Sequence, residues 1–204
     1  TFAASLGLNP DDYVSLTSFT HHPFYTEANI EVPDNWRNET SWNLPLDEFM
    51  AVIENAVNNG YTVAWGSDVS EQGFTRDGIA VMPDAARGAE LTGSDMARWT
   101  GMKEEDKRKE LTSKPLPEIN VTQELRQEGF DNWQTGDDHG MLIYGIAKDQ
   151  NGKPYFMVKN SWGTNSKYKG TWYASNAFVA YKTINILVHK DAIPAEIAKK
   201  IGIK

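Results

Sequence analysis

Apolar and polar positions change period several times along the chain, and each change marks an element. After Pro45, Leu46, Phe49, Met50, Ile53, Ala56 and Val57 recur at helical spacing. They form one stripe, and Gly60 closes the helix, so a packed helix is expected over 46–59. Tyr61 to Gly66 then reads as a buried strand. Earlier, Asn9-Pro10-Asp11-Asp12 is a helix start of the N-cap, proline and acid kind, with room for a short turn only. Tyr13-Val14-Ser15-Leu16-Thr17 alternates like a strand. Residues 21–45 are polar, aromatic and punctuated by prolines, which predicts a long loop or a strand at best.

Residues 67–138 form an excursion with helical patterns over 102–111 and 122–130, and their polar content suggests a surface-lying insertion. A dense β region follows. Strands are expected over 139–148 and 154–160, around Asp149-Gln150-Asn151-Gly152, and over 170–174 and 181–189. Helical patterns followed by runs of antiparallel strand argue an α+β fold. Its expected divisions are 1–66, the insertion 67–138, and a β-rich part 139–204.

The hairpin places two polar residues together. A two-residue loop at Asn151-Gly152 pairs Asn160 with Ile143, and a four-residue loop over 149–152 pairs it with Met141. Side chains alternate faces along a strand, so either register puts His139, Met141, Ile143 and Asn160 on one face. With the four-residue loop His139 and Asn160 are diagonal neighbours, within reach of each other. The amide oxygen then accepts an imidazole N–H, which fixes the tautomer and leaves the second ring nitrogen aimed outward. A loop of odd length separates the two residues onto opposite faces.

Composition narrows the chemistry. The 204 residues are 40% hydrophobic and 24% charged, a globular profile, with a net charge of -8. No basic run exceeds the mixed stretch 103–110, so neither nucleic acid nor an anionic membrane is an expected partner. Apolar runs are far shorter than a spanning helix needs. The opening residues Thr1 to Gly7 read as the exit of a helix capped by Gly7, as if cut within a larger protein. There is no cysteine, which excludes disulfides, thiolate metal sites and a thiol nucleophile within these residues.

A histidine oriented by an asparagine is part of a Cys-His-Asn nucleophile system. The residues around the pair carry a resemblance. Asp138-His139-Gly140-Met141 and Asn160-Ser161-Trp162-Gly163 resemble the His and Asn motifs of papain-like cysteine peptidases. Trp65-Gly66-Ser67-Asp68-Val69, Leu44-Pro45-Leu46-Asp47, Lys169-Gly170-Thr171-Trp172 and the run Val188 to Pro194 are similar to the bleomycin hydrolase/aminopeptidase C branch.

The resemblance implies the antiparallel, barrel-like half-domain of that fold, with one packed helix and a partly helical insertion. It implies thiol-dependent hydrolysis of peptide bonds, with His139 as base and acid, Asn160 as its orienter, Trp162 shielding their hydrogen bond, and the backbone carbonyl of Asp138 binding substrate. The nucleophile would come from an N-terminal, Cys-bearing half, so these residues alone are expected to be inactive. Peptides and that half are the implied partners; a homo-oligomer is a further option. No cofactor or metal is implied, and the implied compartment is cytoplasmic, with periplasmic or secreted as alternatives. The end Ile201-Gly202-Ile203-Lys204 does not resemble the tail that receives the substrate amine in aminopeptidase C-like enzymes, so an endopeptidase is kept beside an aminopeptidase.

Other readings compete. A pseudo-peptidase that binds peptides or assembles would keep the same motifs. A carbohydrate-binding domain would need several of the seven tryptophans exposed on one face; Trp65, Trp162 and Trp172 are expected to be buried. His21-His22 has no carboxylate at useful spacing in sequence and reads as a surface loop. Asn38-Glu39-Thr40 and Asn120-Val121-Thr122 match the glycosylation acceptor pattern.

Overall fold

A computed structural model describes residues 2–84, 101–103, 106, 109 and 113–203. The helix expected over 102–111 lies for the most part outside them. Among the described residues nine strands form one sheet: β1 Tyr13–Thr17, β2 Glu27–Asn29, β3 Thr40–Asn43, β4 Val63–Ser67, β5 Ile79–Ala80, β6 His139–Lys148, β7 Pro154–Lys159, β8 Thr171–Ser175 and β9 Thr183–His189. Their order is β2-β3-β1-β9-β4-β6-β7-β8-β5. Pairing is antiparallel except between β1 and β3 and between β5 and β8. The α+β class is as expected. The sheet itself is open, since β2 and β5 stand at its two ends rather than pairing with each other, so the barrel-like closure is not reached.

Five α-helices accompany the sheet among the described residues: α1 Phe2–Ser5, α2 Leu46–Asn58, α3 Gln123–Asp131, α4 Asn176–Lys182 and α5 Ala195–Lys200. None is long and apolar enough to cross a membrane. Of the stripe expected on α2, Leu46, Phe49, Ile53 and Ala56 are buried, Met50 and Val57 lie half-buried at its margin, and Val52, outside the stripe, is buried as well. Phe49, Val52, Ile53 and Ala56 are fully buried in one core with Trp65, Ile143, Val158 and Ile186 of the sheet. Each large side chain so removed from water contributes roughly 1.5–3 kcal/mol. The short turn after Asn9 is a 3-10 helix whose first turn is capped by the Asn9 side chain.

Two expectations are corrected. Residues 181–189 are not one strand, because α4 runs to Lys182 and β9 starts at Thr183. Ser175 caps α4 by accepting from Phe178 N at 3.1 Å, and the helix buries Phe178 and Val179. Nor is the stretch 67–138 confined to the surface. Phe74 and Ala80 lie in the main core. Arg126 of α3 is 0% exposed, donating to the carbonyls of Ser18 (2.7 Å) and Ala180 (2.8 Å). Its guanidinium sits over the rings of Phe19 and Phe49. Burial pulls its pKa down to about 9, which still leaves a cation at neutral pH.

Candidate active site

The β6–β7 connection is odd in length, the case that would have separated His139 from Asn160. Lys148 pairs with Pro154, five residues lie between, and Asp149 N donates to Lys153 O at 3.0 Å. Gly152, at φ 81°, supplies the left-handed residue this turn needs. A regular ladder from there would set Leu142 opposite Asn160. It does not continue, because an irregularity between Ile143 and Gly145 leaves Tyr144 unpaired. Beyond it Ile143 pairs with Val158 and Leu142 with Lys159. This bulge restores the register of the four-residue loop and returns His139 and Asn160 to one face.

His139 Nε2 lies 2.9 Å from Asn160 Oδ1. The amide oxygen is an acceptor only, so Nε2 carries the proton and Nδ1 keeps its lone pair. Oδ1 also accepts from Ser161 N at 2.7 Å, which prevents the amide from turning. Asn160 is 2% exposed, and its Nδ2 is buried with no partner among the described residues. The Trp162 ring stands 5.0 Å from the imidazole, with Phe74 and Trp172 edge-on to it at 5.7 Å each.

Two glycines permit this stack. Gly170, at φ +88°, brings its backbone so near the Gly163 carbonyl that a Cβ would stand 2.8 Å from the oxygen. A Cβ on Gly73 would come 1.8 Å from Val81 O, so only glycine lets the chain carry Phe74 beneath Trp162. Beside Trp162 opens a groove of about 600 Å³ reached by Val69, Ser70, Phe74 and Arg76.

Trp65 and Trp172 are buried as expected, but Trp162 is 51% exposed. It sits on the loop after β7 rather than on a strand, so it covers His139 from one side only. The face that His139 shares with Asn160 is not an open cleft face. Met141, Ile143 and Asn160 on it are buried, and α2 packs against it. Its edge alone is open, at half-buried His139 and at Trp162. The opposite sheet face carries the exposed apolar side chains Leu142 and Leu187, flanking exposed Ala64.

Asp138 turns its carboxylate away from His139 and accepts from Val69 N at 2.9 Å and from Ser70 Oγ. Behind it lies a support that the sequence pattern did not reveal. Buried Asp68 accepts from Ser70 N (2.7 Å) and Gly136 N (2.9 Å), tying both loops beside His139 together. Lys182, 0% exposed, pairs with Asp68 and Glu71 and donates to the Gln134 carbonyl. Asp68 was visible as part of the Trp-Gly-Ser-Asp run. A lysine buried at the end of an apolar helix left no local signal.

His21 and His22 do meet a carboxylate, contrary to the sequence expectation. Glu31 lies across the loop, with Oε2 3.2 Å from His21 Nε2 and Oε1 3.0 Å from His22 Nε2.

The open sheet carries α2 on one face and, at its edge, the His–Asn pair beside a tryptophan. The Peptidase C1-like family matches residues 88–203, more than half of the chain, and the chain belongs to that family. Aminopeptidase C of Streptococcus thermophilus is 28% identical over 201 residues, covering 96% of this chain and 39% of that protein. Aminopeptidase C of Lactobacillus helveticus is 25% identical over 181 residues, covering 87% of this chain and 34% of that protein. The chain thus spans little more than a third of these relatives. A crystal structure of PepW from Lactobacillus rhamnosis HN001 shares the fold, with a TM-score of 0.65 and 24% identity over 98% of this chain and 40% of that one.

Proposed function

We propose that this chain supplies the base and its orienter to a cysteine peptidase of the aminopeptidase C kind, whose thiol lies outside these 204 residues. The reading is carried by the 2.9 Å contact between His139 Nε2 and Asn160 Oδ1. With Nε2–H committed to Asn160, Nδ1 is the nitrogen left for proton transfer. It takes the proton of the cysteine thiol, giving a thiolate–imidazolium pair. The thiolate attacks the scissile carbonyl, and Nδ1–H returns the proton to the leaving amine. Nδ1 then deprotonates water, which cleaves the thioester. Asn160 holds the ring through both half-reactions, and Trp162 lowers the dielectric around their hydrogen bond, which strengthens it. The Asp138 carbonyl accepts a substrate backbone N–H.

The substrates are peptides, cleaved from a free amino end by likeness to the aminopeptidase C relatives, with endopeptidase cleavage as the alternative specificity. The protein works in the cytoplasm, joined to a Cys-bearing N-terminal half and open to homo-oligomeric assembly, with 67–138 as an insertion between 1–66 and 139–204. The absence of cysteine from these residues favours one second reading, a pseudo-peptidase that binds peptides without cleaving them.

Hydrolysis of aminoacyl and internally quenched peptide substrates by the complete protein separates the two readings. Activity abolished by iodoacetamide and lowered by about 10²–10⁴-fold in His139→Ala supports the peptidase. The 204 residues alone should show none. A complete protein that binds peptides but turns none over would establish the second reading.

A further inference from the structure

Away from His139 and Asn160, the loop preceding β2 and Glu31, just beyond the end of that strand, bring together three groups with the chemistry of a metal site. His21 Nε2, His22 Nε2 and the Glu31 carboxylate all lie within 4.8 Å of one another. His21 Nε2 and His22 Nε2 stand 3.2 and 3.4 Å from one oxygen, Glu31 Oε2, close to the roughly 3.3 Å between ligands that bind one tetrahedral zinc ion at 2.0–2.1 Å. Adjacent histidines rarely converge in this way, and here packing makes them do so. The His21 ring is stacked parallel to Phe130 at 5.3 Å and lies 4.4 Å from the ring of His22. Burial raises the Glu31 pKa, but its backbone hydrogen bond and the two imidazoles outweigh this and hold the carboxyl below its usual value.

We propose that His21, His22 and Glu31 bind a divalent cation of the zinc class, with water completing the coordination. Two imidazoles and one carboxylate are a donor set of borderline softness, which excludes magnesium and calcium as preferred ions. Without the ion, each imidazole donates Nε2–H to a Glu31 oxygen. Binding moves each of these protons to Nδ1 and frees Nε2 to ligate.

At His21 the displaced tautomer carries its proton on Nδ1, which lies 3.0 Å from the amide nitrogen of Gln127. Gln127 Oε1 now accepts from Thr20 N, and its amide also donates to Asp131. Ligation by His21 therefore requires the Gln127 amide to turn and offer its oxygen to Nδ1–H. A glutamate at 127, made in an Asp131→Asn background so that no second carboxylate faces it, would present one oxygen to Thr20 N–H and the other to Nδ1–H, the carboxylate–histidine–zinc arrangement.

The test is calorimetric titration of the purified protein with Zn²⁺, any thiols in the rest of its chain first alkylated, with Co²⁺ as the visible-absorption probe. One Zn²⁺ per chain and the d–d bands of a four-coordinate Co²⁺ site are expected. His21→Ala, His22→Ala and Glu31→Gln should each weaken Zn²⁺ by about tenfold or more, His189→Ala should leave it unchanged, and Gln127→Glu in the Asp131→Asn background should tighten it relative to Asp131→Asn alone. Thermal unfolding of each variant confirms that it is folded. No Zn²⁺ binding, or binding that survives all three ligand substitutions, overturns the site. Zn²⁺ affinity not increased by Gln127→Glu in that background overturns the assignment of His21 as a ligand.

Discussion

At Asp137, two residues before His139, burial and the carboxylates of Asp34 and Asp138 push the carboxyl up to about 6. In the unfolded chain the same group titrates near about 3.9. The unfolded state thus loses its proton first, and the contribution of Asp137 to stability falls as pH rises from about 4 to about 6. Asp137→Asn should be more stable than the parent at pH 7 by on the order of 1 kcal/mol, solvent screening allowed for, and indistinguishable from it below about pH 4. Urea unfolding across that range measures both. A parent and variant with parallel pH profiles would show that the carboxylate is not strained. The contact between His139 and Asn160 was legible because both sit in a motif, whereas the exposure of Trp162, which was expected to be buried, was not. Asp68 with Lys182, and Glu31 with His21, are joined across the fold, and no local pattern announces a partner set by tertiary packing.

Elements with a strong period were read well: α2, β6 and β7 begin where their patterns begin. The missed helix α4 shows the reverse. Its seven residues are too few for a period to declare itself, and its apolar run passes equally for strand. The bulge at Tyr144 is subtler, because loop length alone gives the wrong parity and only side-chain packing adds the corrective residue. That makes the hairpin sharply testable. Tyr144 is the unpaired residue, so its loss would leave Ile143 opposite Val158, whereas deleting the paired residue Leu142 should slip the residues before it by one position and move Met141 and His139 to the opposite face. The variant lacking Leu142 should lose its cooperative thermal transition, whereas deleting Gln150 at the turn should cost little. Two deletions with equal melting temperatures would show that register is set elsewhere.

Across the whole molecule, stability and the proposed chemistry draw on different ends of one sheet face. Phe49 lies at the centre of the core at 0% exposure, so Phe49→Asp buries a charge without a partner. Its cost exceeds the roughly 3–5 kcal/mol of Phe→Ala and approaches the whole stability of a domain. His139→Ala removes one hydrogen bond, about 1 kcal/mol, and leaves Asn160 Oδ1 still satisfied by Ser161 N. Thermal denaturation should find Phe49→Asp unfolded and His139→Ala close to the parent. Equal destabilisation would make the histidine a structural residue.

Strand β9 stands between β1 and β4, so the last strand of the chain joins the first to the rest of the sheet. On the ribosome this sets an order of events. The β6–β7 hairpin can close and pair with β4 as soon as it emerges, while Tyr13–Thr17 waits, its inner edge unsatisfied, for partners some 170 residues later in synthesis. Closing so long a loop is entropically slow to begin. From the emergence of β1 until β9 follows it, the nascent chain therefore displays an unpaired strand edge, which is where chaperones would bind and where premature release would lead to aggregation.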